Sequence, residues 1–210
     1  MILPTFSEKQ LISEITSDMT NVVRFSDYMD KKFRRLVIKA AKYPVRYSQF
    51  YTSPLKNRWI ILFEAHSKRE ILDNCRITLV CLYKDRNGFL NAAMPTSTSG
   101  EKHLIFYPYH FFKRYKERIG SDESGEKIIR DYFKLNFSYV FEKAEKRLLN
   151  SNMAYMEIYG SSLEGVAMGV ETLKHNIFFK TFITYAMTKG EQIKKFANNE
   201  KIRKEIHQTI

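Results

Sequence analysis

The 210-residue sequence contains little cysteine and no long apolar run. Its two cysteines, Cys75 and Cys81, are separated by about 20 Å of extended chain, too far for a disulfide. The histidines fall in different predicted elements without zinc-like spacing, so no metal site and no cofactor is predicted. No stretch of about 18 apolar residues occurs, and the N-terminus lacks the pattern of a signal peptide. We therefore expect no integral membrane association and a cytoplasmic location.

Positive charge is the most pronounced property of the composition. Lys and Arg number 35 against 23 for Asp and Glu, which gives a formal net charge of +12 and a pI of about 9.6. Such a surface attracts RNA or another nucleic acid, or an acidic partner protein, although a basic surface that only keeps the protein in solution explains the charge as well. An apolar content of 44% predicts a globular chain.

Residue patterns predict an α+β fold with a mostly antiparallel, curved sheet, two N-terminal helices, a helical insertion and a C-terminal helix. The capping-box sequence at Ser7 starts the first helix, the second runs from Asp27 to Lys42, and the insertion is one long helix from Glu126 to Leu149. The predicted strands are Trp59 to Ala65, Arg76 to Tyr83, Phe89 to Met94, His103 to Tyr107, Ala154 to Tyr159, Gly165 to Leu173 and Ile177 to Tyr185. Residues 1–210 are expected to form one domain, with residues 1–44 as a helical extension packed on it and residues 187–210 as a C-terminal helical segment.

The second predicted helix carries a basic face. Between Lys31 and Arg46 there is no acidic residue, and a helix with this pattern is suited to contacting phosphates. The candidate nucleic-acid-binding residues on it are Lys31, Lys32, Arg34, Arg35 and Lys39. A solvated helix face is the alternative interpretation.

A predicted short helix places a histidine and two arginines together. His110, Arg114 and Arg118 recur every four residues and so share one helix face. Cleavage of a phosphodiester needs a group that transfers protons near neutral pH and cations that stabilise charge on phosphorus. Solvated ion pairs between helix neighbours explain the same residues equally well.

The last predicted strand offers a second cationic face. Period-two alternation places Phe178, Lys180 and Phe182 on one side of it, so that the rings are expected to stack on bases while Lys180 holds phosphate. A strand buried on both faces, with Lys180 reaching solvent, is the alternative.

From Lys102 to Tyr185 the chain resembles the RelE and BrnT-like toxin ribonucleases. The resemblance is carried by the sequence His110-x-x-x-Arg114-x-x-Glu117-Arg118 and by the Lys- and Thr-containing last strand. It implies metal-independent RNA cleavage, with His110 as the proton-transfer group, Arg114 and Arg118 as phosphate clamps and Lys180 as a further cation. The chain is longer than those compact toxins.

Three functions are consistent with the sequence. The first is a ribonuclease-like enzyme centred on His110. The second is a non-catalytic nucleic-acid-binding module that uses the helix from Asp27 to Lys42. The third is a regulatory protein that binds an acidic partner protein.

Overall fold

The computed structural model describes residues 1–71, 75–98, 101–136, 139–148, 154–172, 174–188, 196–199 and 201–202. The chain divides into two compact units, Met1–Pro95 and Thr96–Ile210. Both units combine helices with mostly antiparallel strands, so the predicted α+β class and the mainly antiparallel pairing are confirmed.

The first unit consists of one long helix and antiparallel strands. Its strands follow the order β1-β2-β3-β4, and a 3-10 turn, Arg69–Ile71, precedes β3. Its elements are α1 (Glu8–Lys39), β1 (Val45–Thr52), β2 (Arg58–Ala65), β3 (Arg76–Lys84) and β4 (Leu90–Thr98), the last of which crosses the boundary between the units. The strand β1 occupies a segment for which the sequence predicted no strand.

One helix replaces the two predicted at the N-terminus. Ser7 forms the expected capping box with Gln10, but the helix continues without interruption to Lys39. No Gly or Pro lies between these ends. The Ser26 hydroxyl donates a hydrogen bond to the Val23 carbonyl within the same helix, at 2.8 Å, so this serine does not interrupt the helix. The predicted break near residue 26 is therefore wrong.

The helix α1 buries one stripe of residues that repeats every three or four positions, as packing on a sheet requires. Its buried members are Leu11, Ile15, Asp18, Val22, Ser26, Met29, Phe33 and Val37. Phe33 contacts the ring of Phe63 in β2, with 5.4 Å between the ring centroids. This contact shows which side of the helix faces the strands.

Asp18 is a fully buried acid within that stripe. Its carboxylate accepts hydrogen bonds from Ser53 Oγ at 2.6 Å, Asn57 Nδ2 at 2.9 Å and Trp59 Nε1 at 2.9 Å. Burial opposes the charged form, but the hydrogen bonds, including one from Asn21, outweigh it and lower the pKa of Asp18. The acid therefore ties α1 to the β1–β2 hairpin.

Between residues 101 and 188, the described residues of the second unit form two shorter helices and five strands in the order β5-β9-β8-β7-β6. The strands β5 and β9 pair in parallel, and the remaining described pairs are antiparallel. Its elements are β5 (Glu101–Tyr107), α2 (Tyr109–Ile119), α3 (Glu126–Asn136), β6 (Val140–Leu148), β7 (Ala154–Ser161), β8 (Gly165–Glu171), β9 (Ile177–Thr184) and a 3-10 turn (Tyr185–Met187).

The long helix predicted from Glu126 to Leu149 is wrong. The helix α3 ends at Asn136, and β6, which pairs antiparallel with β7, begins at Val140. The Asn136 side chain donates to Glu164 and accepts from Ser162 Oγ at 2.9 Å and from the Glu164 backbone N–H at 3.0 Å. These contacts and the strand pairing override the helix propensity of the downstream Glu- and Lys-rich sequence.

Aromatic rings fill the core of the second unit. Tyr107, Phe111, Tyr132 and Phe179 are fully buried, and their ring pairs meet edge to face or tilted. Within this core Tyr107 donates its hydroxyl proton to the Tyr139 hydroxyl at 3.1 Å, and the Tyr132 and Tyr139 hydroxyls are also hydrogen bonded. The buried phenols therefore satisfy one another.

Much of the predicted C-terminal helical segment, residues 187–210, lies outside the described residues. Within it, residues 196–199 and 201–202 are helical. In the described part of the chain, no helix has the length and apolar character needed to cross a membrane.

Candidate nucleic-acid interface

The outward side of α1 carries a concentrated run of exposed cations. Arg24, Lys31, Arg35 and Lys39 are all exposed, and their spacing places them within about 80° of one another around the axis. The centre of this arc is opposite to Phe33 and the rest of the buried stripe. We call these four residues, together with the exposed Lys32, the cationic face.

Arg34, a predicted phosphate contact, lies outside the cationic face. It is half-buried, its Nε is 2.5 Å from Asp30 Oδ2, and it also donates to the Ile71 carbonyl. The hydrogen bond to Asp30 raises the pKa of Arg34. Arg34 therefore connects α1 to the 3-10 turn, whereas Arg24, Lys31, Arg35 and Lys39 are exposed.

Aromatic rings border the cationic face on the side of β1. Tyr51 stacks on Phe25 with 4.0 Å between the ring centroids and 7° between the ring planes. Lys32 Nζ lies 5.4 Å from the centre of the Tyr47 ring and 3.4 Å from its hydroxyl. Aromatic rings and the Lys32 ammonium group therefore lie together along the line where α1 meets β1, a combination found in proteins that bind single strands.

The second candidate site, on α2, is less complete. His110 is exposed at the start of the helix, and Arg114 is exposed and forms an ion pair with Glu117, with Nη1 3.2 Å from Oε2. Arg118 Nη1 donates to Thr181 Oγ1 of β9 at 3.1 Å. The structure thus brings Arg118 next to the strand that holds the exposed Lys180. No hydrogen bond from His110 to another described residue is present.

The predicted common face of Phe178, Lys180 and Phe182 is wrong. Met168 pairs with Thr181 but the next residue, Gly169, pairs with Phe179, so Lys180 is an extra residue in β9. Such a bulge changes the alternation of side chains beyond it. Phe179 and Phe182 consequently both enter the core.

The two phenylalanines that were predicted to bind nucleic acid are placed differently by this bulge. Phe182 is fully buried and contacts Phe111, Tyr115 and Tyr132, so it has no free ring face for a base. Phe178 is half-buried and stacks on Phe106 with 4.6 Å between the centroids.

A polar cluster that sequence reasoning missed lies at the end of β2. Glu64 is buried, and Arg46 of β1 and Arg76 of β3 are its direct cross-strand neighbours. His66 Nε2 is 2.5 Å from Glu64 Oε1, and Arg46 Nη2 is 3.4 Å from the same oxygen. The Glu64-x-His66 spacing, which puts both side chains on one face of a strand, is the signal that indicates this cluster.

The environment of this cluster shifts two pKa values in opposite directions. Burial, with the positive charges of Arg76 and Arg46, lowers the pKa of His66 to about 4. Burial raises the pKa of Glu64, and Arg46 opposes that effect. Near pH 7 the cluster therefore places a neutral imidazole beside the Glu64 carboxyl group and its two arginine neighbours.

The described residues include no group of three or more His, Cys, Asp or Glu side chains placed to hold a metal ion. Both cysteines are free thiols and buried. No protein-family model matches the chain, and neither a curated protein nor a solved structure matches it. The resemblance to RelE and BrnT-like toxins therefore stays a prediction.

Proposed function

We propose that the protein binds nucleic acid, without catalysis, through the cationic face of α1. The observation that supports this proposal is the exposure of Lys31, Lys32, Arg35 and Lys39 on one side of a long helix. Contacts of this kind are made to the phosphate backbone, so they give affinity with little sequence preference.

The geometry favours binding over cleavage. A catalytic histidine is usually held by a hydrogen-bonding partner in a site that excludes water. His110 is exposed, and Arg114 already pairs with Glu117. The cationic face requires no such preorganisation, because exposed positive charges attract phosphate without a partner that orients them.

The test compares the affinity of two variants for a labelled RNA across a series of salt concentrations. In the first variant, Lys31→Gln, Arg35→Gln and Lys39→Gln remove three charges from the cationic face. In the matched control, Lys68→Gln, Lys84→Gln and Arg86→Gln remove three exposed charges elsewhere in the same unit. We expect the first variant to bind more weakly than wild type at low salt. Its plot of the logarithm of the association constant against the logarithm of the salt concentration should be less steep by about two to three, because fewer counterions are released.

The control variant separates local contacts from net charge. Equal losses of affinity in both variants would show that affinity depends on net charge, and the cationic face would be rejected as the binding site. If wild-type protein binds no nucleic acid but is recovered in a stable complex with an acidic protein, nucleic-acid binding is rejected in favour of a regulatory protein that binds an acidic partner.

A second candidate function is metal-independent RNA cleavage at α2. The observation that favours it is the hydrogen bond from Arg118 to Thr181, which brings the predicted arginine to the predicted strand. Cleavage of labelled RNA in the presence of EDTA is measured for wild type, for His110→Ala and for Lys127→Ala, an exposed residue of α3. Loss of cleavage only in His110→Ala supports this function, and intact RNA with wild-type protein rejects it.

A further inference from the structure

We infer that the protein prefers single-stranded to duplex nucleic acid because a base stacks on Tyr28. This inference rests on the proposed function, since α1 also supplies the phosphate contacts. It goes further by naming the class of nucleic acid and the ring that distinguishes it.

Tyr28 is placed where a ring contributes little to the fold. Its side chain is 71% exposed, although large rings are normally mostly covered. On the helix it lies four residues after Arg24 and three and four residues before Lys31 and Lys32. These are the positions that neighbour it on the helix surface. The most exposed ring of α1 is therefore surrounded by the cationic face.

Other aromatic rings lie close to Tyr28. The Phe25 ring centroid is 6.4 Å from that of Tyr28, and Phe25 is itself fixed by stacking on Tyr51 at 4.0 Å. Farther along the same border, Lys32 lies over the ring of Tyr47. Tyr47 and Tyr51 are four residues apart on one face of β1, which corresponds to about 13 Å. A strand of nucleic acid that follows this border meets these rings and the ammonium group of Lys32.

Only an unpaired strand can use this arrangement fully. In a duplex the faces of the bases are covered by their neighbours in the stack, so a protein ring reaches them only if a base is unstacked. In a single strand the faces are available, and stacking on an aromatic side chain is tolerant of sequence. Phosphate contacts with the cationic face are available to both forms. The ring of Tyr28 therefore adds affinity for the single strand alone.

The experiment measures anisotropy of a fluorescein-labelled RNA, as a single strand and as a duplex with its complement, with the full chain. The variants are Tyr28→Ala, Tyr28→Phe and, as a matched control, Tyr109→Ala, which removes an exposed tyrosine of α2. We expect Tyr28→Ala to weaken single-strand binding about tenfold. Duplex binding and the salt slope should not change, because no phosphate contact is lost. Tyr28→Phe should bind like wild type because the ring is kept.

The outcomes separate this inference from the function on which it rests. If Tyr28→Ala binds single strand and duplex as wild type does, or weakens both equally, the stacking role is rejected while the cationic face stands. If Tyr109→Ala shows the same loss as Tyr28→Ala, the effect is not local and the inference is also rejected. If removing charges from the cationic face leaves binding unchanged, the proposed function itself is rejected, whatever the result for Tyr28.

Discussion

The Trp59 indole N–H donates to Asp18 Oδ2 at 2.9 Å, and both side chains are fully buried. The same oxygen accepts from Ser53 and Asn57, so one carboxylate satisfies three donors. We predict that Asp18→Ala lowers the free energy of unfolding by about 3 kcal/mol, because the donors are left buried without a partner. Urea denaturation monitored by Trp59 fluorescence measures this change.

Asp27→Ala is the matched control for Asp18. Asp27 is an exposed acid on the same helix, and its removal should change stability by less than about 0.5 kcal/mol. Since the folded pKa of Asp18 is lowered, its contribution is fully present above the unfolded pKa and is lost as the pH falls through the folded pKa. Equal effects of the two substitutions would contradict the role given to Asp18.

The His66 cluster predicts a stability change in mildly acidic solution. The pKa of His66 is lowered to about 4 from its ordinary value of 6.5, so between these values the unfolded chain binds a proton that the folded chain does not. Stability should therefore fall as the pH drops from about 6.5 to 4, by about 2 to 3 kcal/mol from this group. Denaturation curves across this range for wild type and His66→Gln measure the difference.

The variant His66→Gln should lack that part of the pH dependence. His110→Gln, which changes an exposed histidine, is the control and should follow wild type. If the wild-type profile over this pH range matched that of His66→Gln, the His66 imidazole would be protonated as easily in the folded protein as in the unfolded chain.

Gly169 is predicted to be essential to the bulge in β9. A Cβ atom at this position would lie 2.2 Å from the Phe178 carbonyl oxygen and 2.7 Å from Phe179 Cα, so backbone must move. We expect Gly169→Ala to lower the free energy of unfolding by about 2 to 3 kcal/mol. Val170→Ala, which changes a half-buried neighbour in β8, should cost less than half as much. Thermal denaturation followed by circular dichroism compares the two variants.

The bulge also predicts that substitutions of Phe178 and Phe182, on either side of it, lower the free energy of unfolding by different amounts. Phe182 is fully buried among aromatic rings, and Phe182→Ala should cost about 3 to 5 kcal/mol. Phe178 is half-buried, and Phe178→Ala should cost about 1 to 2 kcal/mol. Equal costs, measured by chemical denaturation, would favour the simple alternation predicted from the sequence.

Local sequence signals predict the elements that depend on local interactions. The capping box at Ser7 and the strands β2, β3 and β8 follow from caps and apolar patterns. The end of α3 at Asn136 is not predictable in this way. It depends on contacts with Ser162 and Glu164, which are distant in sequence.

The candidate site is only partly predictable for the same reason. The helix period correctly places Lys31, Arg35 and Lys39 opposite the apolar stripe of α1. The contact of Arg34 with the Ile71 carbonyl has no local signal, because the two residues come together only when the chain folds. The extra residue Lys180 has no sequence signature either, since a bulge is defined by the partner strand.

The placement of the aromatic residues allows the opening of the two units to be followed by two optical signals. Trp59, the one tryptophan of the sequence, is fully buried in the first unit. In the second unit, burial raises the pKa of Tyr107, Tyr132 and Tyr139 well above the ordinary value. These phenols ionise only when their surroundings open, so the late rise of tyrosinate absorbance in alkali includes the opening of the second unit, and Tyr83 of the first unit, whose pKa burial also raises, contributes to the same rise. Tryptophan emission reports on the first unit alone. A late rise in tyrosinate absorbance that precedes any change in tryptophan emission therefore indicates, without any label, that the second unit opens first.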